Sequence, residues 1–349
     1  VNIYSVFIHT GNAMNITELA KVLGISIATV SRALNDHPEV SAKTRERVRA
    51  AAIKYDYNPN AAGRSLRSGK SYSTVLLLPP GDADNFYTAS FFMRIAAQMQ
   101  YDLNANGIDT FIHLFSTQEE ELDWINNAIT RQKVDALILT GTQVNDRRIN
   151  FLQNSNFPFI TFGRSHTHQK NYSSVDFNFE DVVADSVYRA CKKGHQRVGL
   201  VTLGNDSMQG KIVYDAWQRE TARWKRSADP ALVFWGKISE KSGFDAMHYF
   251  HSLGDDAPDY ILCISDLQAV GASFYASASG FRRPLCAAVF STDIPAFLDT
   301  RPEGYDVPYK QVGKALASLV LESLEKQASR EILCDLNFNS SKMHSVKNG

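Results

Sequence analysis

The sequence predicts an α/β protein made of a small all-α head, a hinge, and a body of two doubly wound parallel sheets. Three observations carry that prediction. Residues 16–57 place apolar side chains at helical spacing in three short runs. From Ser73 onward, short β-rich apolar runs alternate with helix-like stretches, the pattern of parallel strands covered on both faces. The 349 residues also exceed the roughly 250–300 that one hydrophobic core usually serves.

The head is expected over 14–58. Thr17 is placed to cap ELAKVLG, Gly24 to end that helix, Ser26 to cap IATVSRALN and Ser41 to cap AKTRERVRAAAIKY. Leu19, Ala20, Leu23, Val30, Leu34, Val48 and Ala52 form an inward set that closes a small core. Only Gly24 and Ile25 separate the first helix from the cap of the second, a turn short enough for a helix-turn-helix corner. Residues 1–13 lie ahead of this pattern. They lack the basic region of a secretory signal and are read as an unstructured upstream extension or a start-site artefact.

Residues 59–72 form the hinge, with linker composition and interspersed Arg64, Arg67 and Lys70. The body is expected over 73–340. Its strands are TVLLL, TFIHLF, ALILTG, PFITFG, RVGLVTLG, LVFW, YILCIS and CAAVFS, and its last helix is the amphipathic KQVGKALASLVLESLEKQ. VDFN (175–178) and DVPY (306–309) are the expected crossings. They give one subdomain of about 73–174 plus 308–330 and another of about 175–307 plus 331–340.

Net charge is zero, but it is unevenly spread. Met14–Tyr72 holds ten Lys/Arg against five Asp/Glu, and the remainder holds 27 against 32. A basic head on an acidic body points to a polyanionic partner for the head alone. Cys191, Cys263, Cys286 and Cys334 are far apart and read as free thiols of a reduced, cytoplasmic protein. No apolar run reaches the ~18 residues that suggest a membrane span. No GxGxxG after a strand, GxxxxGK[ST], GxSxG or HExxH motif is present, so no enzyme, metal or cofactor is expected.

The second helix carries the chemistry. With Val30, Ala33 and Leu34 inward, Ile27, Ala28, Ser31 and Arg32 share the outer face. Ile27 and Ala28 suit thymine methyls, and Arg32 suits the two acceptors of a guanine edge. Thr29 and Asn35 suit phosphates.

The stretch NITELAKVLGISIATVSRALN–DHPEVSAKTRERVRAAAIKYDYNPN resembles the N-terminus of LacI/GalR-family regulators, and so does the hinge pattern Tyr57, Pro59, Asn60, Gly63, Arg64, Leu66. Weaker matches reach about residue 340: NFY (85–87), KKGHQRVGLV (192–201), SD (265–266) and DIP (293–295). The resemblance implies a homodimer reading a pseudo-palindromic operator. It also implies a hinge helix whose Leu66 wedges into the central minor groove. Gly63 stands where the family prefers alanine, which weakens that helix by about 1 kcal/mol.

The body resembles the periplasmic-binding-protein-like fold, two Rossmann-like subdomains with a ligand cleft between them. Its implied effector contacts are Phe86, Tyr87, Ser265 and Asp266. Two usual contacts are replaced: an arginine position falls on Val213, with Lys211 nearby, and an aspartate position falls on Thr292. Arg164 is an additional basic candidate. The expected protein is a ligand-responsive repressor of a catabolic operon, its effector a sugar. The alternatives are a solute receptor without DNA function, or the same regulator answering a nucleoside or anionic metabolite. No leucine-heptad tail follows residue 328 to suggest assembly beyond a dimer.

Overall fold

The computed structural model describes residues 14–34, 36–57, 69–80, 86–165, 172–298, 301–326 and 329–339. The chain divides into two compact units, Val1–Ser71 and Tyr72–Gly349.

The first unit holds α1 (Ile16–Leu23), α2 (Ile27–Leu34) and α3 (Ala42–Lys54). Asn15, not Thr17, caps α1. Its side chain accepts the N–H groups of Thr17 and Glu18, and the Glu18 carboxylate accepts the N–H of Asn15. The reciprocal pair satisfies three N–H donors at once and sets the cap two residues ahead of Thr17. Gly24 ends α1 in the left-handed conformation, at φ 65°. Ser26 accepts the Thr29 N–H at 3.0 Å, and Ser41 accepts that of Thr44 at 3.2 Å. The core is Leu19, Ala20, Leu23, Val30, Ala33, Val40, Val48, Ala51 and Tyr57. Leu34 and Ala52, expected inside, are only partly buried, because α3 turns Ala51 inward and Val40 and Tyr57 close the remaining space.

The second unit carries two six-stranded sheets. The first runs β11-β5-β4-β3-β1-β2, with β1 Ser73–Leu77, β2 Asp109–His113, β3 Ala136–Leu139, β4 Phe159–Phe162, β5 Ser173–Phe177 and β11 Glu331–Cys334. The second runs β12-β10-β9-β8-β6-β7, with β6 Val198–Leu203, β7 Val233–Gly236, β8 Tyr260–Cys263, β9 Leu285–Phe290, β10 Glu303–Asp306 and β12 Asn337–Asn339. Every pairing is parallel except β12 on β10.

The expected subdomain boundaries require correction. VDFN does not lie beyond the first sheet: Val175–Phe177 belong to β5, fully buried in it, and Glu331–Cys334 pair beside them rather than in the second lobe. The crossings therefore fall at Asn178, at Val307–Pro308 and at Asp335–Leu336. Polar residues disguised β5, yet each is satisfied in place: Ser173 accepts the Arg330 N–H, and Asp176 pairs with Arg164.

Helix α4 (Phe86–Ala105) and the last helix (Tyr309–Leu324) cover the first sheet together. They cross closely at Gly313, where a Cβ would collide with Gln98. The helix Phe179–Lys192 opens the second lobe, and the helix Met208–Arg223 packs beside it. Among the described residues no helix is long and apolar enough to cross a membrane.

Candidate functional sites: a reading helix and an interlobe cleft

On α2, Ile27 is 43% exposed, and Ala28 and Arg32 also face outward. Ile27, Ala28 and Arg32 thus lie on the side of α2 turned away from the head core, which takes Val30 and Ala33. The Thr29 hydroxyl lies 2.8 Å from that of Ser26, within the cap of the same helix. The side chain of Arg32 reaches Glu39 at 3.5 Å, and both are more than half exposed. Asn35 and Leu66 lie outside the described residues.

The second unit encloses a cleft of about 650 Å³ at the carboxyl ends of its strands. Pro79 and Pro80 follow β1, Thr142 follows β3, Phe162 ends β4 with Gly163 and Arg164 after it, Asp176 and Phe177 end β5, and Phe179 opens the next helix. From the second lobe come Leu203 and Ser207 around the end of β6, Lys237–Glu240 after β7, Ser265 after β8 and Ser291 after β9.

One wall is aromatic. Phe91, Phe92, Phe162, Phe177 and Phe179 line it, with neighbouring ring centroids 5.1–6.4 Å apart. The facing wall is rich in hydroxyls at helix starts: Ser207, Ser239 and Ser265 each cap a helix of the second lobe.

Arg164 reaches the cleft, as expected, but it is already engaged. Its Nε donates to Asp176 at 2.8 Å, and its Nη1 and Nη2 donate to the two oxygens of Glu180 at 2.9 and 2.8 Å. Burial pushes the Asp176 carboxyl above the usual carboxylate range despite the guanidinium beside it. Burial acts the same way on Glu180, but the hydrogen bonds from Arg164 outweigh it and hold that carboxyl below its ordinary value. A second buried cluster sits behind the cleft rim. Arg148 pairs with Glu121 at 2.8 Å and Asp146 at 2.7 Å, and donates to the carbonyls of Thr140 and Gly141.

Several expected contacts are placed differently. Both oxygens of Asp266 are occupied: Oδ1 accepts the Ser291 hydroxyl at 2.8 Å, and Oδ2 accepts the Ser291 N–H, the Thr292 N–H and the Thr292 hydroxyl. Asp266 therefore fixes the turn after β9 rather than offering a lone pair to a ligand. Burial pushes its carboxyl up in spite of those donors. Thr292 lies at a separate cavity of about 180 Å³ beside Arg94 and Tyr309. Lys211 is not part of the cleft lining; it pairs with Asp215 one helical turn away, at 2.9 Å. Phe86 and Tyr87 start α4, and their side chains lie outside the description.

Two sets of hydrogen bonds join the lobes around the cleft. The Met208 N–H donates to the Thr142 carbonyl at 3.1 Å, and the Val144 N–H donates to that of Asp206 at 3.0 Å. Arg94 donates to the Ser291 carbonyl at 3.2 Å while lying over the Tyr309 ring.

A head with an outward-facing helix and a two-lobed body around a ligand-sized cleft define the class of ligand-controlled regulators. The comparisons agree. Residues 15–60 match the model "Bacterial regulatory proteins, lacI family", and residues 73–342 match "Periplasmic binding proteins and sugar binding domain of LacI family". This chain belongs to the LacI family of transcriptional regulators. The HTH-type transcriptional regulator AglR of Rhizobium meliloti is 29% identical over 306 residues, covering 84% of this chain and 82% of its own length. Catabolite control protein A of Staphylococcus epidermidis is 26% identical over 275 residues, 78% of this chain and 79% of its own. Among solved structures, the lac repressor dimer bound to operator and an anti-inducer aligns with a TM-score of 0.76 at 21% identity. That alignment covers 94% of this chain and 98% of its own. A CelR–cellobiose complex aligns with a TM-score of 0.70 at 19% identity over the same shares.

Proposed function

We propose that this chain is a homodimeric, cytoplasmic repressor of a catabolic operon, released from or fixed to its operator by a neutral sugar in the interlobe cleft. In this reading Ile27, Ala28 and Arg32 contact bases, Thr29 and Asn35 contact phosphates, and Leu66 enters the minor groove. The effector works only through its different affinity for two arrangements of the lobes. The hydrogen bonds between Thr142–Val144 and Asp206–Met208 and between Arg94 and Ser291 are the contacts that such a rearrangement alters.

The observation that carries the effector class is the engagement of Arg164. A guanidinium bound by two carboxylates is not offered to an anion, and the other charged side chains of the lining, Lys237 and Glu240, are of opposite sign. Aromatic faces opposite a row of serine hydroxyls suit a ring with apolar faces and polar edges. The cellobiose held by one fold neighbour, and the role named for the catabolite control relative, support the same choice.

Thermal unfolding of the full chain against neutral sugars, sugar phosphates, organic acids and nucleosides tests it. A neutral sugar at about a hundredfold excess over its Kd stabilises by about 2.7 kcal/mol. The same sugar should change the mobility shift of an operator duplex. Stabilisation by anionic compounds alone would remove the neutral-sugar reading. Absence of any sequence-preferring duplex binding would remove the regulator reading and favour a solute receptor.

A further inference from the structure

The segment between α2 and α3 brings a carboxylate to the face that reads bases. Asp36, in the left-handed region at φ 55°, accepts from Arg49 at 2.5 Å and lies 3.9 Å from Arg45. Arg45 also donates to the His37 carbonyl at 3.3 Å, and Val40 is buried in the head core. The segment is thus fastened to α3 on both sides of Glu39. From there the Glu39 carboxylate stands 3.5 Å from Arg32 Nη1 and 3.8 Å from His37 Nδ1.

This carboxylate does little for the fold. Glu39 and Arg32 are 65% and 55% exposed, and an exposed ion pair of that kind adds little stability. Nor does it help attraction, since a negative charge beside the phosphates weakens binding to every duplex alike. What it does change is where the Arg32 guanidinium points. An unrestrained arginine at a helix surface reaches phosphate oxygens as readily as base edges, and only base edges carry sequence.

We infer that Glu39 is a positioning residue for specificity. Its carboxylate, at ion-pair distance from one side of the Arg32 guanidinium, draws that group away from the phosphates and leaves the remaining donors for a guanine edge. The inference rests on the reading that α2 contacts bases.

The test uses the full chain and its Glu39→Gln, Glu39→Asp, Arg32→Ala and doubly substituted (Arg32→Ala, Glu39→Gln) variants. Each is selected against duplexes with randomised half-sites at one salt concentration and measured on a fixed non-operator duplex. Glu39→Gln should lose about tenfold discrimination at one base pair per half-site, the same pair whose preference Arg32→Ala abolishes. In the Arg32→Ala background, Glu39→Gln should leave base preferences unchanged. Glu39→Asp, which keeps the charge, should fall between, and the melting of the head should be the same in all four variants.

Equal tightening on every duplex with discrimination intact would overturn the inference, because Glu39 would then be a charge and nothing more. A shifted preference that persists without Arg32 would overturn it as well, because Glu39 would then read a base itself. Both results leave base reading by α2 standing. Absence of any preference in the unsubstituted chain would instead remove that underlying reading.

Discussion

Arg32 of the head and Arg164 of the cleft look alike in the sequence, each a lone arginine near the end of an apolar run. Their surroundings are opposite. Arg32 has one carboxylate at 3.5 Å and is 55% exposed. Arg164 is 15% exposed and donates three side-chain hydrogen bonds to two carboxylates, all at 2.8–2.9 Å. The first guanidinium is left open to solvent and the second is built into a wall. An arginine is therefore a ligand contact only when its donors are left over after folding, and a sequence does not record what is left over.

The largest effect that separates the two is on stability. Arg164→Met leaves Asp176 buried without its cation and Glu180 half-buried without a donor, so unfolding free energy should fall by about 3 kcal/mol. The loss should shrink as the pH is lowered. Asp176, which burial already pushes above the usual carboxylate range, then takes up a proton in place of its partner. Denaturant titration at two pH values measures both. Unchanged stability with lost effector binding would make Arg164 a ligand contact and erase the contrast.

Arg32→Ala should do the reverse. Stability should stay within about 0.5 kcal/mol, as for most exposed sites, while operator binding weakens by about 1–3 kcal/mol at one base pair per half-site. A loss equal on operator and non-operator duplexes would reassign Arg32 to a phosphate.

Much of this architecture was legible because it depends on local pattern. The helices of the head, apart from the cap of α1, and the apolar strands β1, β3, β4, β6 and β8 follow from spacing and composition alone. Strands β5 and β11 were not legible. Ser173, Ser174 and Asp176 read as polar surface until Arg330 and Arg164, remote in sequence, supply their partners. The aromatic wall was half visible. Phe162 ends β4, where ligands of doubly wound sheets gather, and reading that apolar run at its carboxyl end finds it, whereas Phe177 stayed hidden with β5. The engagement of Asp266 was out of reach, since it depends on a turn after β9 filling its hydrogen bonds, whereas Lys211 stands four residues before Asp215 on one helix, a pairing the spacing alone offers.

A third basic side chain extends the comparison, being neither presented nor paired but kept neutral. His113, at the end of β2, stacks on Trp124 with centroids 4.4 Å apart and lies 4.6 Å from Phe115. Burial lowers its pKa below the ordinary 6.5; Glu120 opposes the shift and Lys133 reinforces it. Because the folded value is depressed, the unfolded chain binds the proton more tightly. Stability that His113 contributes is complete above about pH 6.5 and is lost as the pH falls through the folded value. His113→Phe keeps a ring between its neighbours and removes the proton. The variant should lose less stability than the unsubstituted chain between pH 7.5 and pH 5.5, by the smallest margin of the three tests. Parallel pH dependences would mean that His113 is solvated well enough to charge in place, and the distinction between a paired and a withheld cation would then fail in this lobe.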